Sequence, residues 1–307
     1  MFAKKVKSYA KINLSLNVKG VQNGYHLIDS VVASVDIYDT VCVKPRSDKL
    51  INVYMHGLDS ENISPECNNA VKAGEAFVSA FSTKGADIEI YKDIPIGAGL
   101  GGSSADAAGV LNALAKLYKI EDKKALKSLA DTLGSDTGYM LSGGFARLAG
   151  RGERVFPLPV KDRYHFLLIL PKSNVSSPEC YRKYDEAPDN SGRYDSEICA
   201  TGLVKRDFNV LCRGVYNALG TPSAKLNRDV AQALKEAASL SPSAYAVTGS
   251  GSAVFALFES EELCCWAKSR YRGNFRTRVV HTVNTAKVNS ARSPFILSDE
   301  EIGSCED

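Results

Sequence analysis

The sequence predicts a mixed α/β protein of two domains, and two observations indicate it. Segments with the two-residue period of β-strands alternate along the chain with segments whose apolar residues recur at helical spacing. The chain has 307 residues, which exceeds the roughly 100–150 residues that are typical of one hydrophobic core. Its 44% apolar and 24% charged residues are ordinary for a folded globular protein.

The composition also excludes several classes of protein. The formal net charge is only +3, and without a concentrated basic excess we expect no nucleic-acid partner. Apolar runs such as Phe166 to Leu170 are far shorter than the ~20 residues of a membrane helix, so we expect no membrane partner. The eight cysteines form no C-x-x-C pair, and we expect free thiols in a reducing cytoplasm.

The first predicted strand has two different faces. One face carries the apolar residues Ile12, Leu14, Leu16 and Val18. The other face carries the polar residues Lys11, Asn13, Ser15 and Asn17. This alternation predicts a strand with one face buried and the other in solvent.

The other elements follow from turn residues and periodicity. Asn23-Gly24 predicts a turn, and Asn68 is a suitable N-cap for the helix that follows it. Further strands are predicted over residues 27–43, 87–91, 166–170, 244–258 (two strands and a turn) and 276–283. Helices are predicted over residues 68–81, 107–117, 126–133, 208–219, 226–239 and 261–271.

The domain boundary is predicted near residues 157–163, where Pro157, Pro159 and a charged stretch interrupt the pattern. This gives domains of 1–158 and 159–290. Residues 185–196 are rich in Asp, Pro, Asn, Ser and Gly and predict an exposed excursion. Residues 291–307 end in an acidic segment that we expect to be a flexible tail.

The most informative motif is a glycine-rich loop between a predicted strand and a predicted helix. It consists of Pro95, Ile96, Gly97, Ala98, Gly99, Leu100, Gly101, Gly102, Ser103, Ser104 and Ala105. Glycine lets backbone N–H groups approach a phosphate, and the start of the helix adds its dipole. A tight structural turn, with Ser103 and Asp106 as a capping box, is the simpler alternative.

Two familiar phosphate motifs do not fit this loop. Gly97-x-Gly99-x-x-Gly102 matches the dinucleotide fingerprint, but one helix follows another here, where that fold needs a second strand ending in an acid. Gly102 is followed by Ser103 and not by the lysine of a Walker A loop. The pattern therefore predicts a phosphate-binding loop of a third kind.

Four further positions could carry chemistry, and each has a structural alternative. Asp136 could be a general base or the N-cap of a helix over residues 137–141. Lys11 could be catalytic or a solvated strand lysine. The turn Thr248-Gly249-Ser250-Gly251 could bind a ligand or only join two strands. His26 could bind a ligand or pack, and no histidine has the neighbours of a metal site.

In their order along the chain, these motifs resemble those of the GHMP family of small-molecule kinases. The matching segments are Ala10-Lys11-Ile12-Asn13-Leu14, Gly24-Tyr25-His26, Val35-Asp36-Ile37-Tyr38-Asp39, the glycine loop, Gly134-Ser135-Asp136 and Thr248-Gly249-Ser250-Gly251. The resemblance implies an α/β (α+β) GHMP kinase fold. Its N-terminal half is similar to ribosomal protein S5 domain 2, and its C-terminal half is ferredoxin-like.

Within that family, the resemblance implies ATP-dependent phosphorylation of the 2-hydroxyl of a CDP-linked methylerythritol, a step of non-mevalonate isoprenoid synthesis. The family's base matches Asp136, and the lysine beside it matches Lys11. The glycine loop would hold the ATP phosphates. Magnesium would bridge those phosphates, with Ser103 or Ser104 as a further contact, and the sequence leaves open which serine serves.

The resemblance also implies how a small-molecule substrate carrying CDP is held. Tyr25 and Tyr181 would sandwich the cytosine, His26 would bind its edge, and Asn13 would face the substrate from the strand of Lys11. The remaining implied substrate contacts are Ser177, Thr248, Gly249, Ser250 and Gly251. We expect a monomer or a homodimer.

The chain departs from the family pattern in small ways, such as Tyr9 where a proline is frequent and Gly-Gly-Ser-Ser-Ala where Gly-Gly-Gly-Ser-Ser is frequent. One alternative is another GHMP kinase that acts on a mevalonate-like, homoserine-like or sugar substrate. A second alternative is a non-catalytic nucleotide-binding regulator, which need not keep both Lys11 and Asp136.

Overall fold

The computed structural model describes residues 3–57, 68–189 and 195–284. The strands in these residues are β1 Lys4–Gln22, β2 Tyr25–Pro45, β3 Ile51–Gly57, β4 Ala86–Lys92, β5 Phe145–Gly150, β6 Arg154–Pro157, β7 His165–Leu170, β8 Tyr216–Asn217, β9 Ala244–Val247, β10 Val254–Phe258 and β11 Arg276–His281. The helices are α1 Asn69–Phe81, α2 Gly102–Tyr118, α3 Lys123–Leu133, α4 Thr137–Met140, α5 Ser177–Asp185, α6 Asp195–Lys205, α7 Phe208–Arg213, α8 Gly220–Leu226, α9 Arg228–Ser239 and α10 Glu261–Arg270.

The strands form two sheets, which confirms the mixed α/β class. The larger sheet has the order β3-β4-β2-β1-β8, and β5 pairs with both β2 and β6. Within it, β3 runs parallel to β4 and β8 runs parallel to β1, while β2 is antiparallel to β4 and β5. The smaller sheet has the order β11-β7-β10-β9, and all its pairs are antiparallel.

The described residues divide into two compact units. Within the described residues, unit 1 takes 3–10, 36–57, 68–96 and 100–143, and unit 2 takes 11–35, 97–99, 144–189 and 195–284. The strands β1 and β2 and the glycine loop contribute residues to both units, so these units are not consecutive segments of the chain. The family domains 1–158 and 159–290 stay a prediction, and the acidic tail over 291–307 lies outside the described residues.

Each unit has its own core. In unit 1, helices α1 and α2 bury Phe77, Leu111 and Leu114 together with Ile88 and Ile90 of β4. The start of α1 is as predicted, because Asn68 Oδ1 accepts a hydrogen bond from the Ala70 N–H at 2.9 Å. In unit 2, every residue of β10 is buried, and this strand shares its core with β7, α9 and α10.

The prediction that β1 exposes its polar face is wrong. Lys11, Asn13, Ser15 and Asn17 are at most 5% exposed. The start of α6 covers this face, because Ser196 Oγ accepts from Ser15 Oγ at 3.0 Å and Asp195 Oδ2 accepts from Asn17 Nδ2 at 2.9 Å. The predicted excursion over 185–196 is therefore wrong at its end, where Asp195 and Ser196 are buried in a helix.

The helix predicted over 208–219 is also wrong in its second half. Helix α7 ends at Gly214, and β8 follows it. A Cβ atom on Gly214 would lie 2.3 Å from the backbone nitrogen of Cys199. The close approach of α6 needs a glycine there, and the chain leaves the helix at that point to pair with β1.

Two expectations about composition can be checked within the described residues. The six cysteines described, Cys42, Cys180, Cys199, Cys212, Cys264 and Cys265, are free thiols, as predicted. Cys67 and Cys305 lie outside that part of the chain. No helix found in the described residues has both the length and the apolar character to cross a membrane.

Candidate active site

Lys11 and Asn13 form one polar pair on β1. The Lys11 ammonium donates to Asn13 Oδ1 at 2.6 Å. Lys11 as a whole is only 4% exposed. Lys11 is therefore not a solvated strand lysine. The Asn13 backbone N–H donates to Thr248 Oγ1 at 3.0 Å, which ties this pair to the second glycine-containing turn.

That turn packs against the glycine loop in unit 2. The Thr248 hydroxyl lies 3.4 Å from the Gly99 carbonyl oxygen, and the Ala253 N–H donates to the Ala98 carbonyl at 3.1 Å. Gly99 has a φ of +76°, and a Cβ atom there would lie 2.2 Å from the Thr248 carbonyl oxygen. Only glycine suits this position. Three of the predicted motifs thus meet at Asn13, Gly99 and Thr248.

The turn over 248–251 is itself held by hydrogen bonds. Asn217 Nδ2 donates to the carbonyls of Val247 and Gly249 at 2.7 and 2.8 Å. The hydroxyls of Ser250 and Ser177 lie 2.7 Å apart. Gly251 has a φ of +88°, which an L-residue rarely adopts. These contacts place Ser177, Thr248, Gly249, Ser250 and Gly251 in one cluster, and their contact with substrate stays a prediction.

The start of α2 suits a phosphate group. Gly101 occupies the N-cap position and gives no side-chain cap. The first hydrogen bond of the helix runs from the Ala105 N–H to the Gly101 carbonyl at 2.9 Å, so the N–H groups of Gly102, Ser103 and Ser104 precede it. Such N–H groups and the helix dipole favour an anion.

Ser104 of this helix start also lies near the motif around Asp136 in unit 1. Ser104 Oγ lies 3.7 Å from the position that a Cβ atom on Gly134 would take. Asp136 stands at the N-cap position of α4, but its side chain makes no capping hydrogen bond. The capping role therefore does not explain this carboxylate. Lys11 belongs to unit 2 and Asp136 to unit 1, and their joint action stays a prediction.

A buried cluster of ionisable residues lies beside the ends of the glycine loop. It shows that the alternative of a capping box between Ser103 and Asp106 is wrong, because Asp106 binds Lys92 instead. Asp106 Oδ2 accepts from Lys92 Nζ at 2.6 Å, and the same ammonium contacts Asp39. Burial raises the pKa of Asp106 against the attraction of Lys92, and the Asp39 carboxylate raises it further. Burial opposes the charge of Lys92, but the two carboxylates raise its pKa.

Lys92 is not among the residues predicted from the sequence, although its position in the apolar pattern of β4 indicates that it is buried. Lys92 follows Ala86, Ile88 and Ile90 at the two-residue period of β4, so it belongs to the buried face. Asp39 likewise shares the buried face of β2 with Ile37 and Val41. A charge on an apolar face predicts a buried partner of opposite sign.

A magnesium ion bound with ATP is compatible with the oxygen atoms at this helix start. Ser103 is exposed, and its hydroxyl accepts from Asn69 Nδ2 at 2.9 Å. Ser104 places a second hydroxyl one residue further on. Hydroxyl oxygens are the hard ligands that magnesium prefers beside phosphate oxygens.

The aromatic residues predicted to hold cytosine lie in unit 2. The His26 ring stacks on the Tyr181 ring at a centroid distance of 4.5 Å, and His26 Nε2 lies 2.8 Å from Asp185 Oδ1. Tyr25 is 57% exposed, with the Arg151 guanidinium 4.7 Å from its ring centroid. His26 and Tyr181 thus form one platform, and the sandwich of cytosine between Tyr25 and Tyr181 stays a prediction.

Comparison with known proteins gives a consistent result. Residues 68–146 match the family model of the GHMP kinases N terminal domain, and residues 199–263 match that of the GHMP kinases C terminal domain. The chain is 35% identical over 293 residues to the 4-diphosphocytidyl-2-C-methyl-D-erythritol kinase of Desulfitobacterium hafniense, covering 92% of this chain and 96% of that protein. It is 32% identical over 286 residues to the protein of the same name from Clostridium beijerinckii, covering 90% and 100%.

Solved structures agree with these similarities. A crystal structure of 4-(cytidine 5'-diphospho)-2C-methyl-D-erythritol kinase superposes with a TM-score of 0.75 at 29% identity, covering 91% of this chain and 100% of the other. The homoserine kinase from Cytophaga hutchinsonii superposes with a TM-score of 0.74 at 20% identity, covering 92% and 96%. The second similarity shows a common fold.

Proposed function

The chain belongs to the GHMP kinases, among the 4-diphosphocytidyl-2-C-methyl-D-erythritol kinases, and we propose that it phosphorylates the 2-hydroxyl of 4-(cytidine 5'-diphospho)-2-C-methyl-D-erythritol. The other substrate is ATP, and the products are the 2-phosphate and ADP. The reaction is a step of the non-mevalonate route to isopentenyl diphosphate. The single observation that carries the proposal is the meeting of the Lys11–Asn13 pair, the glycine loop and the turn over 248–251.

The glycine loop and the start of α2 are proposed to hold the ATP phosphates. Their N–H groups are fixed before the reaction, so they stabilise phosphate charge without further reorganisation. Positive φ angles at Gly97, Gly99 and Gly101 turn the backbone in ways that residues with a Cβ rarely allow. The hydroxyl of Ser103 or Ser104 would contact the bound metal, and magnesium would neutralise charge on the transferred phosphoryl group.

Asp136 is the proposed general base. As the 2-hydroxyl oxygen bonds to the γ-phosphorus of ATP and the bond from that phosphorus to the ADP oxygen breaks, the Asp136 carboxylate accepts the proton of the 2-hydroxyl. The Lys11 ammonium is proposed to lie near that hydroxyl, where a fixed positive charge lowers the pKa of the alcohol. Asn13 Oδ1 holds the ammonium at 2.6 Å, so Lys11 is oriented before the substrate binds.

The platform of His26 and Tyr181 is the proposed reader of cytosine, together with Tyr25. A base offers two faces for stacking and a polar edge for hydrogen bonds. We further propose that the enzyme works in the cytoplasm as a monomer or a homodimer.

A coupled assay of ADP release tests the proposed function. Purified protein receives ATP and magnesium with one of four alcohols: the CDP-linked methylerythritol, mevalonate, homoserine or galactose. We expect ADP release with the cytidine substrate alone, and none from the Asp136→Asn variant. Turnover with another alcohol only would reject the proposed substrate. Nucleotide binding without any turnover would favour a regulator.

A further inference from the structure

A buried cluster of three charged residues lies at the base of the glycine loop and takes no part in the reaction proposed above. We infer that Lys92 and Asp106 are positioning residues for the ATP-phosphate loop, because they join the end of β4 to the N-terminal part of α2. This inference rests on the proposed function, since it takes the glycine loop as the part that holds ATP.

One ammonium group joins the two ends of the loop. Lys92 is the last residue of β4, and Asp106 is the fifth residue of α2. Lys92 Nζ donates to Asp106 Oδ2 at 2.6 Å and also to Asp39 Oδ2. The residues between these ends, 93–101, include Gly97, Gly99 and Gly101. The cluster therefore sets the separation of the two ends.

Asp39 also fixes the direction in which the chain enters the loop. Its Oδ1 atom accepts the N–H groups of Asp93 at 2.7 Å and Ile94 at 2.9 Å. Both carboxylate oxygens of Asp39 are thus used, one by the loop entrance and one by Lys92. On the other side, Ser8 Oγ donates to the Ala105 carbonyl in the first turn of α2.

Lys92 acts on the loop through its partners and not by touching phosphate. Its side chain is 2% exposed, and those of Asp39 and Asp106 are 0% and 5% exposed. Its ammonium lies 3.7 Å from the position that a Cβ atom on Gly102 would take. A buried ion pair with several hydrogen bonds is geometrically fixed.

The loop needs such support because glycine has more backbone freedom than any other residue. If the ligand must order the loop when it binds, the free-energy cost of that ordering weakens the binding. Ends that are already fixed reduce this loss. The cluster should therefore act on nucleotide affinity and leave the affinity for the alcohol substrate unchanged.

Asp106→Ala and Asp106→Asn form a matched pair of test variants. Both remove the carboxyl group, but only the asparagine substitution keeps an oxygen that can accept from Lys92. We expect Asp106→Ala to weaken magnesium-ATP binding about tenfold or more, which is the low end of the effect of losing one hydrogen bond to a charged group. Asp106→Asn should stay within about twofold of wild type. Calorimetric titration gives both values, with the cytidine substrate titrated as the control ligand.

Hydrogen exchange provides a readout that does not depend on nucleotide. The amides of residues 97–105 should exchange faster in Asp106→Ala than in wild type, and at the wild-type rate in Asp106→Asn. Wild-type nucleotide affinity and exchange in a folded Asp106→Ala protein would overturn the inference. An equal loss in both variants would overturn it as well, because the oxygen contact with Lys92 would then not matter.

If Asp106→Ala does not fold, the triple variant Asp39→Asn, Lys92→Met and Asp106→Leu takes its place. It replaces the whole cluster by neutral side chains, which proteins often tolerate, and the amide oxygen of the asparagine can still accept the Asp93 and Ile94 N–H groups. Weakened nucleotide binding is expected, and wild-type affinity would overturn the inference. If wild-type protein is an active kinase and all variants bind magnesium-ATP as it does, the inference alone is rejected. If wild-type protein has no kinase activity, the proposed function is rejected.

Discussion

The Lys11–Asn13 contact is the residue-level feature that most clearly separates this site from an ordinary strand. A lysine with 4% exposure loses most of its hydration, and a hydrogen bond from the ammonium to a buried oxygen partly restores it. Asn13 provides that oxygen at 2.6 Å and uses its amide nitrogen for Ser30 Oγ at 2.9 Å. The charge is therefore held in a fixed direction.

Asp136→Asn should nearly abolish turnover while nucleotide affinity changes by no more than a few-fold. The substitution removes a base and not a phosphate contact, and loss of a general base costs roughly 10²–10⁴ in rate. Measurements of kcat and of the Kd for magnesium-ATP check this. A variant with near-wild-type kcat would show that another group accepts the proton.

Tyr181→Ala should weaken binding of the cytidine substrate by about 1–2 kcal/mol, the usual effect of losing an aromatic stacking contact. The His26 ring stacks on the Tyr181 ring, so the substitution also removes this contact of His26. Tyr181→Phe keeps the ring and is the control. Unchanged substrate affinity in Tyr181→Ala would mean that the cytosine binds elsewhere.

Ser30→Ala should lower kcat about fivefold, the effect of one hydrogen bond. Ser30 Oγ donates to the Ser15 carbonyl at 2.6 Å and accepts from Asn13 Nδ2, so it holds the amide whose oxygen faces Lys11. Ser30→Thr keeps the hydroxyl and should restore the rate, with the KM for ATP unchanged in both variants. Equal kcat in Ser30→Ala and wild type would contradict this role.

At the scale of elements, the sequence predicts most strands and helices correctly because their faces differ in polarity. The alternation in β1 is correct, but whether its polar face is buried depends on α6, which is distant in sequence. Local pattern cannot show that Asp195 and Ser196 pair with Asn17 and Ser15. The end of α7 escapes prediction for a similar reason, because the contact of Gly214 with α6 is tertiary.

The sequence predicts those parts of the candidate site that lie in one segment, and it does not predict the contacts between distant segments. The glycine loop and the turn over 248–251 are local patterns, and the sequence shows both. The cluster of Lys92, Asp39 and Asp106 joins three elements, and no single segment contains it. The stacking of His26 on Tyr181 likewise depends on where α5 packs.

Asp106 in α2 should make the free energy of unfolding depend on pH. Burial and Asp39 raise the pKa of Asp106 from 3.8 to about 8. Between these values the folded protein holds a proton that the unfolded chain has released, so this residue's contribution to stability falls as pH rises from about 4 to about 8. Asp106→Asn removes this titration, and its Tm relative to wild type should increase across that range.

Calorimetry of both proteins at several pH values checks this expectation. Melting curves that shift in parallel across the range would contradict the raised pKa.

At the scale of the whole molecule, the two compact units share β1, β2 and the glycine loop. The residues proposed for catalysis and substrate binding come from both units, with Asp136 and the start of α2 in unit 1 and Lys11, Asn13 and the cytosine platform in unit 2. We propose that the molecule as a whole transfers the terminal phosphoryl group of ATP to one hydroxyl of a cytidine-linked alcohol.

Phosphorus NMR of the reaction mixture tests that claim most directly. Incubation of the protein with ATP, magnesium and the CDP-linked methylerythritol should produce one new phosphomonoester resonance, in step with ADP, while the signals of the CDP diphosphate remain. The new phosphate should couple to the carbon that bears the 2-hydroxyl. Formation of ADP with inorganic phosphate alone, or cleavage of the diphosphate, would contradict the account.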